Sequence, residues 1–180
     1  MKEKLTVGLG GFFTSLIPHP SSLILLAAAL LLASCGFQLR GTAQLPFSSL
    51  YVQAPPASQV ATQLKRAVRT GSSTRIADQP GEAEVVLQII NELQEKQILT
   101  IGGGGRVSEY QLRYRLLFRL TDSMNREHIP ASEITLKRDY SFSDQQTLAK
   151  EQEEALLYRD MRNDAVQQLV RRLQAAQLKS

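Results

Sequence analysis

One stretch decides the fold of this chain: Ser108-Glu109-Tyr110-Gln111-Leu112-Arg113-Tyr114-Arg115-Leu116-Leu117-Phe118-Arg119-Leu120. From Tyr110 to Leu120 every second side chain is aromatic or aliphatic, and the side chains between them are polar or basic, except at Leu117. Successive side chains of a β-strand point to opposite faces of the sheet. The pattern therefore predicts a long strand with one buried face and one basic, solvent-facing face.

The residues before this strand predict a second long strand and a hairpin. Glu84–Ile90 is apolar on both faces, as a central strand requires. The following residues, up to Ile101, are more polar at first, which predicts an unusually long strand or one with a bulge. Gly102–Gly105 then predict a flexible hairpin tip, because glycine adopts positive φ without steric clash.

Shorter strands are predicted on either side of the two long ones. Leu50–Gln53 is expected to form a strand that the two following prolines stop, and Phe37–Leu39 and Thr74–Ala77 are expected to form brief ones. Ile134–Phe142 predicts a further strand, whose apolar face is interrupted by Arg138. Residues 121–130 are predicted to be a polar connection.

Two amphipathic helices complete the prediction. The first begins after Ser58, a favourable N-cap residue, and ends near Gly71. The second spans about Gln145–Ala175, and at 1.5 Å per residue it would be longer than a small sheet can cover, so one end should overhang or the helix should break. The predicted fold is α+β: a two-layer sandwich in which about four mostly antiparallel or mixed strands carry two helices on one face.

Another informative stretch, Leu32-Ala33-Ser34-Cys35, closes an apolar run and carries the single cysteine of the chain. An aliphatic residue, two small residues and a cysteine are typical of a bacterial lipoprotein cleavage site. In this interpretation a diacylglycerol alkylates the thiol of Cys35, which becomes the acylated N-terminus after cleavage. The alternative is a buried core cysteine, because free cysteine behaves as a small hydrophobe.

Residues 1–34 are accordingly interpreted as a targeting segment. Lys2 and Lys4 supply a positive start, and Leu23–Ala33 is an apolar run that is shorter than the roughly 20 residues of a transmembrane helix. An uncleaved membrane anchor is the alternative. The predicted organisation is a lipoprotein signal peptide over residues 1–34 and a single domain over residues 35–180, with Cys35 as its lipidated N-terminus.

Composition argues against an enzyme, a metal protein and a nucleic-acid binder. The formal net charge is only +4, from 21 basic and 17 acidic residues, which is far from the density of a dedicated nucleic-acid binder. After the leader the single histidine is His128, expected to be a solvated turn residue. Gly102–Gly105 are not followed by the Lys-Ser/Thr pair of a phosphate-binding loop. We predict no catalytic residue, no metal and no cofactor.

The basic residues suggest an anion-binding surface. Arg113, Arg115 and Arg119 share one strand face, Arg106 adjoins the glycine hairpin, and Lys150 lies near the start of the last helix. Guanidinium groups bind phosphates in a bidentate manner, so these residues would suit a phosphate-bearing amphiphile. The alternative is an ordinary solvated sheet face.

Three segments resemble the LptE family of lipopolysaccharide-assembly lipoproteins: Cys35-Gly36-Phe37-Gln38-Leu39-Arg40-Gly41, Ser108-Glu109-Tyr110-Gln111-Leu112 and Leu148-Ala149-Lys150. The resemblance implies a non-enzymatic domain that plugs the lumen of the LptD outer-membrane β-barrel, helps to assemble it and delivers lipopolysaccharide to the outer leaflet. Gly36, where an aspartate would direct retention in the inner membrane, favours the outer membrane by resemblance to other lipoproteins.

The resemblance also implies lipopolysaccharide-binding residues. Members of the family bind lipopolysaccharide through basic residues near the hairpin and the helix entry, and Arg106 and Lys150 lie nearest those positions. Gly102–Gly105 replace a more varied hairpin in other members. We predict that Arg106, Lys150, Arg113 and Arg115 bind lipopolysaccharide. One alternative is a free outer-membrane lipoprotein that binds an anionic ligand without a barrel partner. Another is a lipoprotein hydrolase, for which the sequence offers no catalytic cluster.

Overall fold

The computed structural model describes residues 44–178. The interpreted signal peptide, Cys35 and the lead-in strand at Phe37–Leu39 lie outside these residues. Within them, neither helix combines the length and the apolar character that a bilayer span requires. The strands are β1 (Ser49–Gln53), β2 (Arg75–Ile76), β3 (Val85–Ile101), β4 (Val107–Asp122) and β5 (Glu127–Ser141). The helices are α1 (Gln59–Gly71) and α2 (Thr147–Gln174).

The five strands form one mixed sheet in the order β2-β1-β3-β4-β5. β1 runs parallel to both of its neighbours, whereas β3, β4 and β5 form an antiparallel meander. The α+β fold with two helices on one face is confirmed. The expected count of about four strands is corrected to five, because the two-residue β2, which falls within the brief strand expected at Thr74–Ala77, pairs with β1 and extends the sheet.

The row of apolar side chains on β4 forms the centre of the core, as the sequence predicted. Leu112, Tyr114, Leu116, Phe118 and Leu120 are all fully buried. The buried residues of α1 are Val60, Ala61, Leu64 and Val68, and those of α2 are Met161, Ala165, Val166, Leu169 and Leu173. These residues join the β4 row in a single apolar cluster. Both helices therefore cover the same face of the sheet.

A bulge in β3 changes which of its side chains face the helices. Before the bulge, Leu87 and Ile89 pair with the buried residues Leu120 and Phe118. The register shifts between Ile89 and Asn91, so that Glu92 pairs with Leu116 and the even-numbered residues from Glu92 to Ile98 face the helices. A second shift after Ile98 pairs Thr100 with Glu109. The predicted long or bulged strand is confirmed, and the helix-facing side chains of its polar half are these even-numbered ones.

The connection between β4 and β5 is much shorter than predicted. The polar segment assigned to residues 121–130 reduces to a turn over residues 123–126, in which Asp122 accepts hydrogen bonds from the backbone N–H groups of Met124 and Arg126. Pro130 lies inside β5, which tolerates it because β5 is at the edge of the described sheet. The expected solvated position of His128 is wrong: its side chain is 3% exposed and lies 3.5 Å from Asp122.

Helix α2 has two unlike halves. Its 28 residues span about 42 Å, but every buried residue lies from Met161 onward. Between Thr147 and Asp160 no side chain is buried. The expected overhang is thus located at the N-terminal half of α2, next to the ends of β3, β4 and β5 that adjoin the glycine hairpin.

Candidate functional site at the hairpin end of the sheet

The hairpin end of the sheet is formed by the glycine turn and the adjoining ends of β3, β4 and β5. Gly104 and Gly105 have φ angles of 78° and 75°, a left-handed conformation that favours glycine. The backbone N–H of Gly102 donates a 2.7 Å hydrogen bond to the carbonyl oxygen of Arg106, which closes the turn. The side chain of Arg106 is exposed at this point. Its guanidinium makes no hydrogen bond or ion pair with any residue between 44 and 178.

Lys150 lies at the same end of the sheet. Its ammonium is 3.2 Å from the hydroxyl oxygen of Ser141, the last residue of β5, and 2.8 Å from a carboxylate oxygen of Glu153. Ser141 pairs with Glu109, three residues beyond Arg106 along β4. The structure therefore brings Arg106 and Lys150 to one end of the domain, as the resemblance implied.

Arg113 and Arg115 lie on the opposite, uncovered face of the sheet. Arg115 binds Glu133 in a bidentate manner, with two N–O distances of 2.9 Å, and Arg113 lies 3.8 Å from Glu95. The hydrogen bonds from Arg115 hold the pKa of Glu133 at about 2, well below its usual range. Each of these guanidinium groups thus already has a carboxylate partner, and the four predicted binding residues do not form one surface.

Two other basic residues of the sheet, Arg119 and Arg138, also have side-chain partners. Arg119 donates a 2.7 Å hydrogen bond to the side-chain oxygen of Gln88 on β3. Arg138, which interrupts the apolar face of β5, lies on the helix-covered side and contacts Asp164 of α2 at 2.7 Å. Most of the basic strand face is therefore part of a ladder of ion pairs and hydrogen bonds.

Lys96 is a site residue that the sequence reasoning missed. The bulge turns it toward the helices, where its ammonium lies 2.6 Å from Glu154 and 4.2 Å from the centre of the Tyr110 ring. Burial opposes protonation of Lys96, but the hydrogen bonds to Glu154 and Tyr140 outweigh it and raise the pKa of the ammonium above its usual value. The missing signal is the bulge itself, because β3 without it would place Lys96 on the other face.

Large aliphatic side chains are exposed beside these cations. Ile98, Leu99 and Ile101 stand on β3 just before the glycine turn, and Leu148 lies two residues before Lys150. The hairpin end thus combines exposed apolar groups with an unpaired guanidinium. No group of three or more His, Cys, Asp or Glu residues in the described part of the chain is placed to hold a metal ion.

Comparison with known proteins identifies the family. The model of the LptE family, described as lipopolysaccharide-assembly, matches residues 47–173. The LPS-assembly lipoprotein LptE of Pectobacterium atrosepticum is 31% identical over 156 residues, covering 84% of this chain and 83% of that protein. The protein of the same name from Photorhabdus laumondii is 30% identical over 158 residues, covering 84% of each chain.

A solved structure has the same fold. The solution structure of lipoprotein B from Nitrosomonas europaea superposes with a TM-score of 0.69 at 39% sequence identity, covering 78% of this chain and 91% of that one. This chain belongs to the LptE family of lipopolysaccharide-assembly proteins.

Proposed function

We propose that this protein is a non-enzymatic subunit of the lipopolysaccharide transport machinery that plugs and helps to assemble the LptD barrel and binds lipopolysaccharide. Membership of the LptE family gives it a role in lipopolysaccharide assembly. The barrel partnership, the direct binding of lipopolysaccharide and the placement in the barrel lumen are the proposed part. The protein is held at the outer membrane by acyl chains on Cys35.

The observation that carries the binding proposal is the unpaired guanidinium of Arg106 at the end of the sheet that also holds Lys150. Lipopolysaccharide combines phosphate groups with acyl chains. The cations suit the phosphates, because charge-assisted hydrogen bonds to phosphate are strong and geometrically specific. The exposed aliphatic side chains of Ile98, Leu99 and Ile101 suit the acyl chains.

Arg113 and Arg115 take a secondary place in this proposal. Their carboxylate partners Glu95 and Glu133 would compete with a phosphate for the same donors. Binding at this face would require those ion pairs to open, whereas Arg106 needs no such exchange. We therefore assign the first phosphate contact to Arg106. The second is assigned to Lys150 because it lies at the same end of the sheet, although its ion pair with Glu153 must open for this contact.

The binding proposal is tested with Arg106→Asp combined with Lys150→Asp. We expect at least a tenfold loss of affinity for purified lipopolysaccharide, since two charge-assisted contacts are worth more than about 1.4 kcal/mol together, and an unchanged circular dichroism spectrum. The matched control is Arg66→Asp with Lys65→Asp on α1, which makes the same change in charge away from all four predicted binding residues. Equal binding by the site variant and the wild type at low salt would refute the role of these cations.

The partnership is tested by affinity purification of the full chain from detergent-solubilised outer membranes, with identification of the bound proteins by mass spectrometry. We expect LptD to co-purify in stoichiometric amount. Recovery of a monomer without any barrel protein, combined with strongly salt-dependent binding of lipopolysaccharide, would favour the free lipoprotein that binds an anionic ligand alone.

A further inference from the structure

The N-terminal half of α2 has little apolar contact with the rest of the domain. No residue between Thr147 and Asp160 is buried, and Leu148 and Leu156 are 70% and 49% exposed. Leu157 and Tyr158 are the apolar residues of this half that pack, partly buried, against the core. Because hydrophobic stabilisation is proportional to the apolar area removed from water, another contact must hold this half in place.

One such contact is the 2.8 Å hydrogen bond from the phenol of Tyr158 to the backbone carbonyl of Glu95. The other is a cluster centred on Lys96, which we term the Lys96 clasp; its members are Lys96, Tyr110, Tyr140, Phe142 and Glu154. One carboxylate oxygen of Glu154 accepts a 2.6 Å hydrogen bond from Lys96 and a 2.7 Å hydrogen bond from the phenol of Tyr140. A single oxygen of α2 is thereby tied to β3 and to β5 at once.

Aromatic rings enclose the ammonium of Lys96. It lies 4.2 Å from the ring centre of Tyr110, 5.7 Å from that of Tyr140 and 5.8 Å from that of Phe142. All three distances are within the range of cation–π attraction. The rings also contact each other: Tyr110 stacks on Tyr140 at 5.8 Å and meets Phe142 edge-to-face at 5.2 Å. The clasp is thus a defined structure and not a chance surface ion pair.

The clasp lies directly beside Lys150. Glu154 is one helical turn after Lys150, so the two side chains share a face of α2. Tyr140 precedes Ser141, whose hydroxyl oxygen is 3.2 Å from the ammonium of Lys150. Any movement of this half of α2 away from Tyr140 would therefore also separate Lys150 from the end of β5.

We propose that Lys96 is a positioning residue for the lipopolysaccharide site: through Glu154 it holds the N-terminal half of α2 against the sheet and so places Lys150 beside the hairpin. The inference rests on the proposed function, because it concerns the same site. Lys96 itself acts through Lys150 and makes no contact with the ligand.

The first test measures the helix without any ligand. Lys96→Met keeps an unbranched side chain one atom shorter and removes the ammonium. We expect amide hydrogen exchange over residues 147–158 to become at least tenfold faster, while exchange over residues 161–173 stays unchanged. Lys65→Met on α1, where the lysine has no hydrogen bond or ion pair in the described structure, is the matched control. Unchanged exchange over residues 147–158 in Lys96→Met would overturn the proposal.

The second test separates positioning from simple charge attraction. Glu154→Gln makes the site more positive, so a purely electrostatic effect would strengthen the binding of purified lipopolysaccharide or leave it unchanged. Positioning predicts weaker binding, by several-fold, in both Glu154→Gln and Lys96→Met. Equal or tighter binding by Glu154→Gln would overturn the proposal.

The third test is a double-mutant cycle with Lys150→Ala. If Lys96 acts through Lys150, Lys96→Met causes no further loss of affinity once Lys150 is truncated. Additive losses would show that Lys96 contributes to binding directly. They would overturn the positioning role of Lys96 and leave the assignment of Lys150 intact. Full binding by Lys150→Ala would instead overturn the assignment of Lys150 itself, and with it the site that Lys96 is proposed to position.

Discussion

The phenol of Tyr114 donates a 2.6 Å hydrogen bond to the carboxylate of Glu92, which the bulge in β3 turns toward the helices. The other oxygen of the same carboxylate accepts a 2.9 Å hydrogen bond from the hydroxyl of Ser58, the N-cap of α1. Burial, together with the hydrogen bond to Glu92, raises the pKa of Tyr114 above its usual value. A single carboxylate thus connects the centre of the sheet with the start of the first helix.

Tyr114→Phe should therefore destabilise the domain by about 2 kcal/mol, because a hydrogen bond to a charged acceptor is worth about 1.5–3 kcal/mol. Urea unfolding followed by circular dichroism measures this loss. Tyr51→Phe is the matched control, since the phenol of Tyr51 makes no hydrogen bond within residues 44–178. Equal unfolding midpoints for the two variants would contradict the assigned role of Glu92.

Leu116→Ala should be among the most destabilising single changes. Leu116 is fully buried in the middle of β4, and truncation of a buried leucine costs about 2–5 kcal/mol through lost transfer energy and the cavity that remains. Leu148→Ala, at an exposed position, should change the free energy of unfolding by less than about 0.5 kcal/mol. Urea denaturation of both variants gives the comparison, and similar losses would place the core elsewhere.

Acid should weaken the uncovered face of the sheet through Glu133. The hydrogen bonds from Arg115 lower the pKa of Glu133 from 4.5 to about 2 in the folded chain. A carboxyl group with a depressed pKa stabilises the fold above its ordinary pKa, and this stabilisation disappears as the pH falls from about 4.5 toward 2. Glu133 is solvent-exposed, so the effect should be small and should shrink with added salt.

Melting temperatures measured between pH 2 and 6 test this prediction. Glu133→Gln should flatten the acid limb of the curve, whereas Glu151→Gln, which removes a carboxylate without an ion pair in the described residues, should leave its shape unchanged. An identical acid limb in Glu133→Gln and the wild type would show that the ion pair contributes nothing.

Cys35→Ser should impair membrane attachment far more than folding. Lasting attachment requires more than one acyl chain, and the proposed lipid anchor resides wholly on Cys35. Fractionation of cell envelopes should find the variant outside the membrane pellet, with a melting temperature equal to that of the acylated protein in the same detergent. Membrane retention of the variant would contradict lipidation at this residue, and efficient assembly of LptD with it would make the anchor secondary.

The sequence predicted those parts of the fold that local periodicity encodes. The alternation along β4 identified its buried row because a strand repeats every two residues whatever its partners are. Ser58 marked the start of α1 because capping is also local, whereas Gly71 is the last residue of the helix and Ser72 caps it. The family itself was found from short segments, in agreement with the match over residues 47–173.

The features that the sequence did not reveal depend on pairing between distant residues. The bulge after Ile89 is fixed by the register with β4, and it alone places Lys96 and Glu92 under the helices. In the sequence Arg138 only interrupts an apolar face. In the structure it binds Asp164 of α2, which lies 26 residues later in the chain. For the candidate site, the sequence and its resemblance to the family identified Arg106 and Lys150. They did not reveal that Arg113 and Arg115 form ion pairs with Glu95 and Glu133.

The parallel strand β1 has a consequence for the order of folding. β3, β4 and β5 are joined by short turns, whereas β1 pairs with β2 residues 26 positions away and with β3 residues 35 positions away along the chain. Contacts between distant residues form more slowly, because closing the loop has an entropic cost. We expect the meander to form first and β1 to dock late, so that Val52→Ala should accelerate unfolding while Leu116→Ala slows folding. The strand that follows the proposed lipid anchor in the sequence would then be the last to acquire its native contacts.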